Sequence, residues 1–229
     1  MKNGTAKVAK ESSDIRAILK AIVTKHFLNQ RNGSRYFCEK QIQFKLGLEL
    51  CKKLRNEPVF EQAFPLALPP TKATRQYMDL AVNIGNKRIG IEIKYKTTNK
   101  IQGSESYQHH GAQTNGRAQC LFDIYRLEKF VKTGHMTNGY FIFITNDKTY
   151  WSDCIGDKQI YNLTDGTEKT GLFNANWDSC PEYCKDFTLF GKYAINWFGA
   201  SSFRCIIISV PGLIGPKRAR KISSKSGKR

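Results

Sequence analysis

The sequence predicts an α/β fold, and three observations carry that prediction. Apolar residues recur at helical spacing in three stretches. Two strand-like runs meet at a Gly-Asn turn, and a further run, Gly139 to Asp147, is apolar enough to be a buried strand. Length and composition agree: 229 residues with 40% hydrophobic and 12% aromatic content suit a folded body that buries a sizeable core.

Taken in order, residues 1–13 read as a flexible leader. A helical pattern then runs from Ile15 through Ile18, Leu19, Ile22 and Val23 to Phe27, and ends at the turn-prone segment Asn29 to Ser34. A second helix spans Tyr36 to Leu54 and stops before Asn56-Glu57-Pro58. Val59 to Phe64 follows as a short strand, and Pro65, Pro69 and Pro70 mark a loop. Tyr77 to Asn83 and Arg88 to Tyr95 form a β-hairpin about the turn Ile84 to Lys87. A polar stretch, Gln102 to Asn115, precedes a third helix from Arg117 to Val131, whose apolar stripe is Leu121, Ile124, Leu127 and Val131.

After the strand at Gly139, residues 152–190 are rich in Asp, Gly, Asn and Thr and read as an irregular insertion or lid, with Trp177 and Tyr183 anchoring it to the body. Phe187 to Phe198 and Phe203 to Val210 are expected to pair as the last two strands and complete the sheet. The single domain thus covers residues 14–213. Residues 214–229 form a basic tail that has too few apolar residues to pack and is expected to be disordered.

A formal charge of +18, from 37 basic and 19 acidic residues, points to a polyanionic partner, with nucleic acid ahead of a membrane surface. Part of the excess is local: Lys217, Arg218, Arg220, Lys221, Lys225, Lys228 and Arg229 crowd the tail, which would add sequence-independent affinity for phosphates. Met1 to Asp14 lacks the apolar core of a secretory signal. The apolar runs Tyr140 to Ile144 and Cys205 to Val210 are too short to span a bilayer, so the expectation is a soluble, cytoplasmic protein without a membrane partner. Seven cysteines, an odd and scattered set, suit reduced thiols better than a disulfide framework. Cys154, Cys180 and Cys184 lack the second well-spaced pair that a zinc site needs.

The chemistry is concentrated in the hairpin. Glu92 and Lys94 are two apart on one strand and leave the same face, and Asp79 on the partner strand can reach that end. Two carboxylates and an ammonium at one spot suit divalent-metal phosphodiester hydrolysis. The carboxylates hold a hard cation that keeps waters, and the lysine orients the attacking water and offsets phosphate charge. In the second helix, Ile42, Leu46, Leu50 and Leu54 form the core-facing stripe, with Glu39 at its centre and Gln43 near it. An inward carboxylate is costly unless paired, although a first-turn residue favoured by the helix dipole is the plainer reading. Glu61 is the runner-up.

The constellation Asp79, Glu92-Ile93-Lys94 resembles the PD-(D/E)XK nuclease superfamily, with Met78 standing where the motif has its proline. The order helix, strand, hairpin, helix, buried strand is similar to that superfamily's core. Glu92 to Thr97, Arg126-Leu127-Glu128, Thr145-Asn146-Asp147 and Tyr150-Trp151 together resemble one bacterial group of restriction-endonuclease-like proteins. The likeness covers Tyr36 to Trp151. It implies a restriction-endonuclease-like core, a central mixed β-sheet flanked by helices, and a DNA endonuclease dependent on Mg²⁺ or Mn²⁺ in restriction or repair. It implies a metal held by Asp79, Glu92 and the Ile93 carbonyl, with Lys94 placing the water and Glu39 completing the acidic cluster. Arg117 or Gln113, with Gln119 a weaker candidate, would engage the phosphate, and Lys96 would lie along the substrate. A homodimer would supply one site per strand. For Asp123, Arg126 and Glu128 the better reading is intrahelical ion pairing. The alternative function is a non-catalytic DNA- or RNA-binding protein on the same fold.

Overall fold

The computed structural model describes residues 14–28, 38–66, 68, 75–98, 101–102, 105–106, 113–152, 159–175, 177–199 and 203–212. The leader, the whole basic tail, much of the polar stretch from Gln102 to Asn115, and Cys154 fall outside these residues.

Helix α1 occupies residues 14–23 and runs into a π-helical turn, Thr24–Leu28. Helix α2 spans Glu39–Leu54, and β1 (Val59–Phe64), β2 (Gln76–Ile84) and β3 (Lys87–Lys96) follow. Two short strands, β4 (Ile101–Gln102) and β5 (Glu105–Ser106), pair with each other before α3 (Gln113–Lys132). Then come β6 (Asn138–Thr145), β7 (Glu168–Asn174), β8 (Asp186–Ala194) and β9 (Arg204–Val210).

The main sheet has five strands in the order β1-β2-β3-β6-β9. All neighbours are antiparallel except β3 and β6, which run parallel from Ile89↔Asn138 to Lys96↔Thr145. A parallel pair cannot be closed by a tight turn, and α3 lies between these two strands in the chain as the crossover element. The β2–β3 hairpin turns at Gly85 and Asn86, where Gly85 takes φ 59°, a conformation glycine adopts without penalty.

Alternation along the strands gives the sheet two different faces. Ile89, Ile91, Ile93 and Tyr95 of β3 pack with Tyr140, Ile142 and Ile144 of β6 against Leu19, Ile22 and Phe27 near the N-terminus and Ile42, Leu46 and Leu50 of α2. Each fully buried side chain of this kind contributes roughly 1.5–3 kcal/mol. The other face, with Phe141, Phe143, Ile206 and Ile208, is covered by Cys120, Leu121, Ile124 and Leu127 of α3 and by Phe173, Phe187 and Leu189 of the β7–β8 hairpin. Glu92 and Lys94 point to this second side.

Two sequence expectations are corrected here. Residues 152–190 are not all irregular, because they contain β7 and short 3-10 turns. The expected pairing of Phe187–Phe198 with Phe203–Val210 is reduced to one antiparallel bridge, Phe198↔Cys205, while β8 itself pairs with β7 as a separate two-stranded sheet, from Glu168↔Ala194 to Asn174↔Asp186. The reason is packing, since Phe173, Phe187 and Leu189 are sunk against α3, while β9 finds its partner in β6. Trp177 and Tyr183 do anchor this segment: Trp177 Nε1 donates to Asn115 Oδ1 at 2.6 Å, and Tyr183 packs on Phe122.

Candidate functional site

The β2–β3 ladder is regular from Ile84↔Lys87 to Leu80↔Ile91 and goes no further. Beyond it the two strands part, and carboxylates take the place of the missing strand. Asp79 Oδ2 accepts from the Ile93 N–H at 2.7 Å, and Glu39 Oε2, from α2, accepts from the Tyr95 N–H at 3.0 Å. The strand's own alternation reverses at this point, since Met78 and Leu80, two residues apart, lie in opposite cores. Opposite this stretch on β1, Glu61 has the left-handed φ of 46°. Ile93 sends its carbonyl out along the same edge as its N–H, so that oxygen faces the opening as well.

The α3 face of the opening is charged. Lys94 Nζ sits 3.0 Å from Asp123 Oδ2, and Arg126 Nη1 lies 3.2 Å from Asp123 Oδ1. Arg126 Nη2 donates to the Tyr77 carbonyl and lies 3.2 Å from Glu92 Oε1. That last contact lacks the alignment of a hydrogen bond, so Glu92 Oε1 is buried without a donor.

The electrostatics follow from burial and crowding. Burial pushes the Asp79 carboxyl up to about 6; the Ile93 N–H opposes the shift, and the Glu39 and Asp123 charges add to it. Glu92, 3% exposed, is raised well above the carboxylate range by burial, with Arg126 pulling against it. Glu39 is raised by burial against the opposing field of Lys94, the Tyr95 N–H and, further off, Lys96. The Asp123 carboxylate raises Lys94 and outweighs its burial, so Lys94 is a fixed ammonium. Burial opposes the charge on Arg126, but Glu92, Asp123 and Asp79 together overcome it.

Asp79, Glu92, Lys94 and Glu39 are thus brought together, with Lys96 half-buried nearby. Gln113 and Arg117 hold partners of their own. Gln113 Nε2 donates to Asp147 Oδ2 at 3.2 Å. Arg117 is buried with its guanidinium against the Thr149 carbonyl and over the Tyr150 ring. Both tie the start of α3 to the turn after β6. Glu61 pairs instead with Lys40 at the exposed surface, so of these two candidates Glu39 is the one that reaches the opening.

Asp123 and Arg126 are the site residues that sequence reading missed. Their intrahelical pair exists, but each also reaches across to β3. A signal was present: Asp123 falls between Cys120 and Leu127 on the buried side of α3, where an unpartnered carboxylate is costly.

Among the described residues, no group of three or more His, Cys, Asp and Glu side chains is arranged to hold a metal ion. The donors at the opening nonetheless suit one. They are all hard oxygens, from Asp79, Glu92 and the Ile93 carbonyl, and one of them is the orphaned Glu92 Oε1. Cys180 and Cys184 are free and buried. No helix among the described residues is long and apolar enough to cross a membrane.

No protein-family model matches the chain, and no curated protein matches it. A solved structure, that of SSO0001, aligns at 16% identity over 61% of this chain, with a TM-score of 0.25. The chain covers 56% of that protein's length, and a likeness at this level carries no argument about fold or chemistry.

Proposed function

We propose that the protein is a metal-dependent DNA endonuclease with a restriction-endonuclease-like core, acting at the opening between β2 and β3. The observation that carries this reading is the way the hairpin parts. Its ladder stops at Leu80↔Ile91, and Asp79, Glu92, Lys94 and Glu39 gather where pairing ends. A half-buried hairpin with merely solvated polar residues would instead stay paired and turn these side chains to water. The mixed sheet, with α3 crossing between its two parallel strands, supports the same core.

Asp79, Glu92 and the Ile93 carbonyl would hold Mg²⁺ or Mn²⁺, which supplies an activated water and neutralises charge on the phosphate. Lys94, kept as an ammonium by Asp123, donates hydrogen bonds to the attacking water or a phosphate oxygen and does not act as a base. Glu39 holds the Tyr95 N–H, fixing the end of β3. Hydrolysis forms a bond from water oxygen to phosphorus and breaks the phosphorus–oxygen bond to the leaving nucleotide, which takes up a proton. The charge of +18 supports a polyanionic substrate.

The test is incubation of supercoiled plasmid with purified protein and Mg²⁺ or Mn²⁺. Nicking or linearisation should require the cation and stop with chelator. Asp79→Ala and Lys94→Ala should abolish it while DNA binding persists. The second reading, a non-cutting nucleic-acid-binding protein, is favoured by the ion pairs that occupy Lys94 and Glu92. It predicts cation-independent binding and no cleavage.

A further inference from the structure

We infer that Arg126 is a built-in counter-ion that competes with the divalent cation for Glu92, so that cation loading and release of this guanidinium are one event. The inference rests on the proposed cation site and concerns how that site is filled.

Three features carry it. Arg126 is surrounded by acid: Glu92, Asp123 and Asp79 all act on its charge, so it neutralises the group that a cation would neutralise. Its contact with Glu92 is that of a point charge. Nη2 is 3.2 Å from Oε1, yet that oxygen, on a residue only 3% exposed, has no hydrogen-bond donor. The Arg126 anchors are of unequal quality. Nη1 makes an aligned bond to Asp123 Oδ1 at 3.2 Å and Nη2 donates to the Tyr77 carbonyl, whereas Nε is buried with no partner.

A guanidinium so placed is held firmly on the Asp123 side and weakly on the Glu92 side. An ion that coordinates Glu92 makes the two positive charges repel, and the contact that gives way is the unaligned one. The displaced edge of Arg126 then faces the opening, beside the ammonium of Lys94, where a phosphate oxygen would be met by two cations. Removing Arg126 should therefore tighten cation binding rather than weaken it.

The experiment measures Mn²⁺ binding by the electron paramagnetic resonance signal of free Mn²⁺, with wild type, R126Q, E92Q and R88Q. Arg88 lies over the Phe64 ring, outside the site, and controls for simple loss of one positive charge. R126Q should bind Mn²⁺ about tenfold more tightly than wild type, the scale of one lost charge-assisted contact. R88Q should stay within about twofold, because its charge lies outside the site, at the far end of β3 from Glu92. E92Q should lose the site. In a second arm on wild-type protein, the Arg126 Nε–Hε resonance should move on saturation with Mg²⁺ and stay put in E92Q. This arm decides the matter if R126Q does not fold.

Equal or weaker Mn²⁺ binding by R126Q, or an Nε–Hε signal unmoved by Mg²⁺, overturns the counter-ion role. A Glu92-dependent Mn²⁺ site in the same data would leave the nuclease reading standing. Absence of any Glu92-dependent binding overturns both.

Discussion

Glu92 and Glu128 are both buried carboxylates against α3, and they are held in opposite ways. Glu128, on α3 itself, accepts from the Phe190 N–H at 3.0 Å, the Gly191 N–H at 2.6 Å and the Tyr193 hydroxyl at 2.7 Å. Every donor it needs is in place, and the result is a joint between α3 and β8. Glu92, on β3, has an oxygen with no donor, a guanidinium set beside it without alignment, and a carboxyl raised well above its ordinary range. Folding satisfies the first carboxylate and leaves the second in need of a positive ion. A buried acid that the fold completes is structural, and one that the fold leaves incomplete is a candidate for chemistry.

The contrast can be broken by substitution, and the largest effect should be at Glu128. Glu128→Ala strands two backbone N–H groups and a tyrosine hydroxyl, which should cost about 3–5 kcal/mol of unfolding free energy in urea titrations. It should leave any cation response of the remaining folded protein unchanged. A cost below about 1 kcal/mol would mean that the joint is not what Glu128 provides.

A pH effect comes next. The folded-state carboxyl of Asp79 is raised to about 6 from its ordinary 3.8, so the folded chain holds this proton more tightly than the unfolded one. The Asp79 contribution to stability is therefore fully present below about pH 4 and is lost as pH climbs through about 4 to 6, by about 2–3 kcal/mol. Asp79→Asn should remove that segment of the stability–pH curve and be the more stable protein at pH 7. A curve parallel to wild type would show that Asp79 is not desolvated.

Smaller effects sharpen the comparison. Glu92→Gln replaces a carboxyl that burial already pushes toward its neutral form, and Arg126 keeps Asp123, so its change in stability should be within about 1 kcal/mol. Glu39→Gln can still accept from the Tyr95 N–H. It should preserve the melting temperature without added cation and shrink the rise produced by saturating Mg²⁺, since a ligand that binds only the folded state stabilises by mass action. A variant that melts early yet responds fully to Mg²⁺ would make Glu39 a purely structural cap.

Much of this was legible in the sequence where local pattern decides structure. The hairpin, its turn, β1, the extent of α2 and the buried β6 follow from alternation, helical spacing and turn residues, and the structure has them within a few residues. The position of Glu39 was legible too, because an acid at the centre of an apolar stripe must face something. What could not be read depended on pairing between distant segments. The run from Phe187 to Phe198 reads as one strand, but its first part joins β7 and only Phe198 bridges to β9, because the apolar face that α3 offers takes Phe173 and Phe187, which stack there. Arg117 and Arg126 lie nine residues apart on one helix, and composition does not say which one reaches β3. The distance along α3 from the crossover start to the strand opening decides that, and it selects Arg126.

Cleavage by the Glu92→Ala protein tests the central claim most directly, with Glu128→Gln as the control for damage to α3. Circular dichroism should first show both variants folded and gel shift should show both bound to DNA. With Mg²⁺ or Mn²⁺, wild type and Glu128→Gln should then cut plasmid, and Glu92→Ala should cut at no more than background. Undiminished cutting by Glu92→Ala would remove this site from the chemistry altogether.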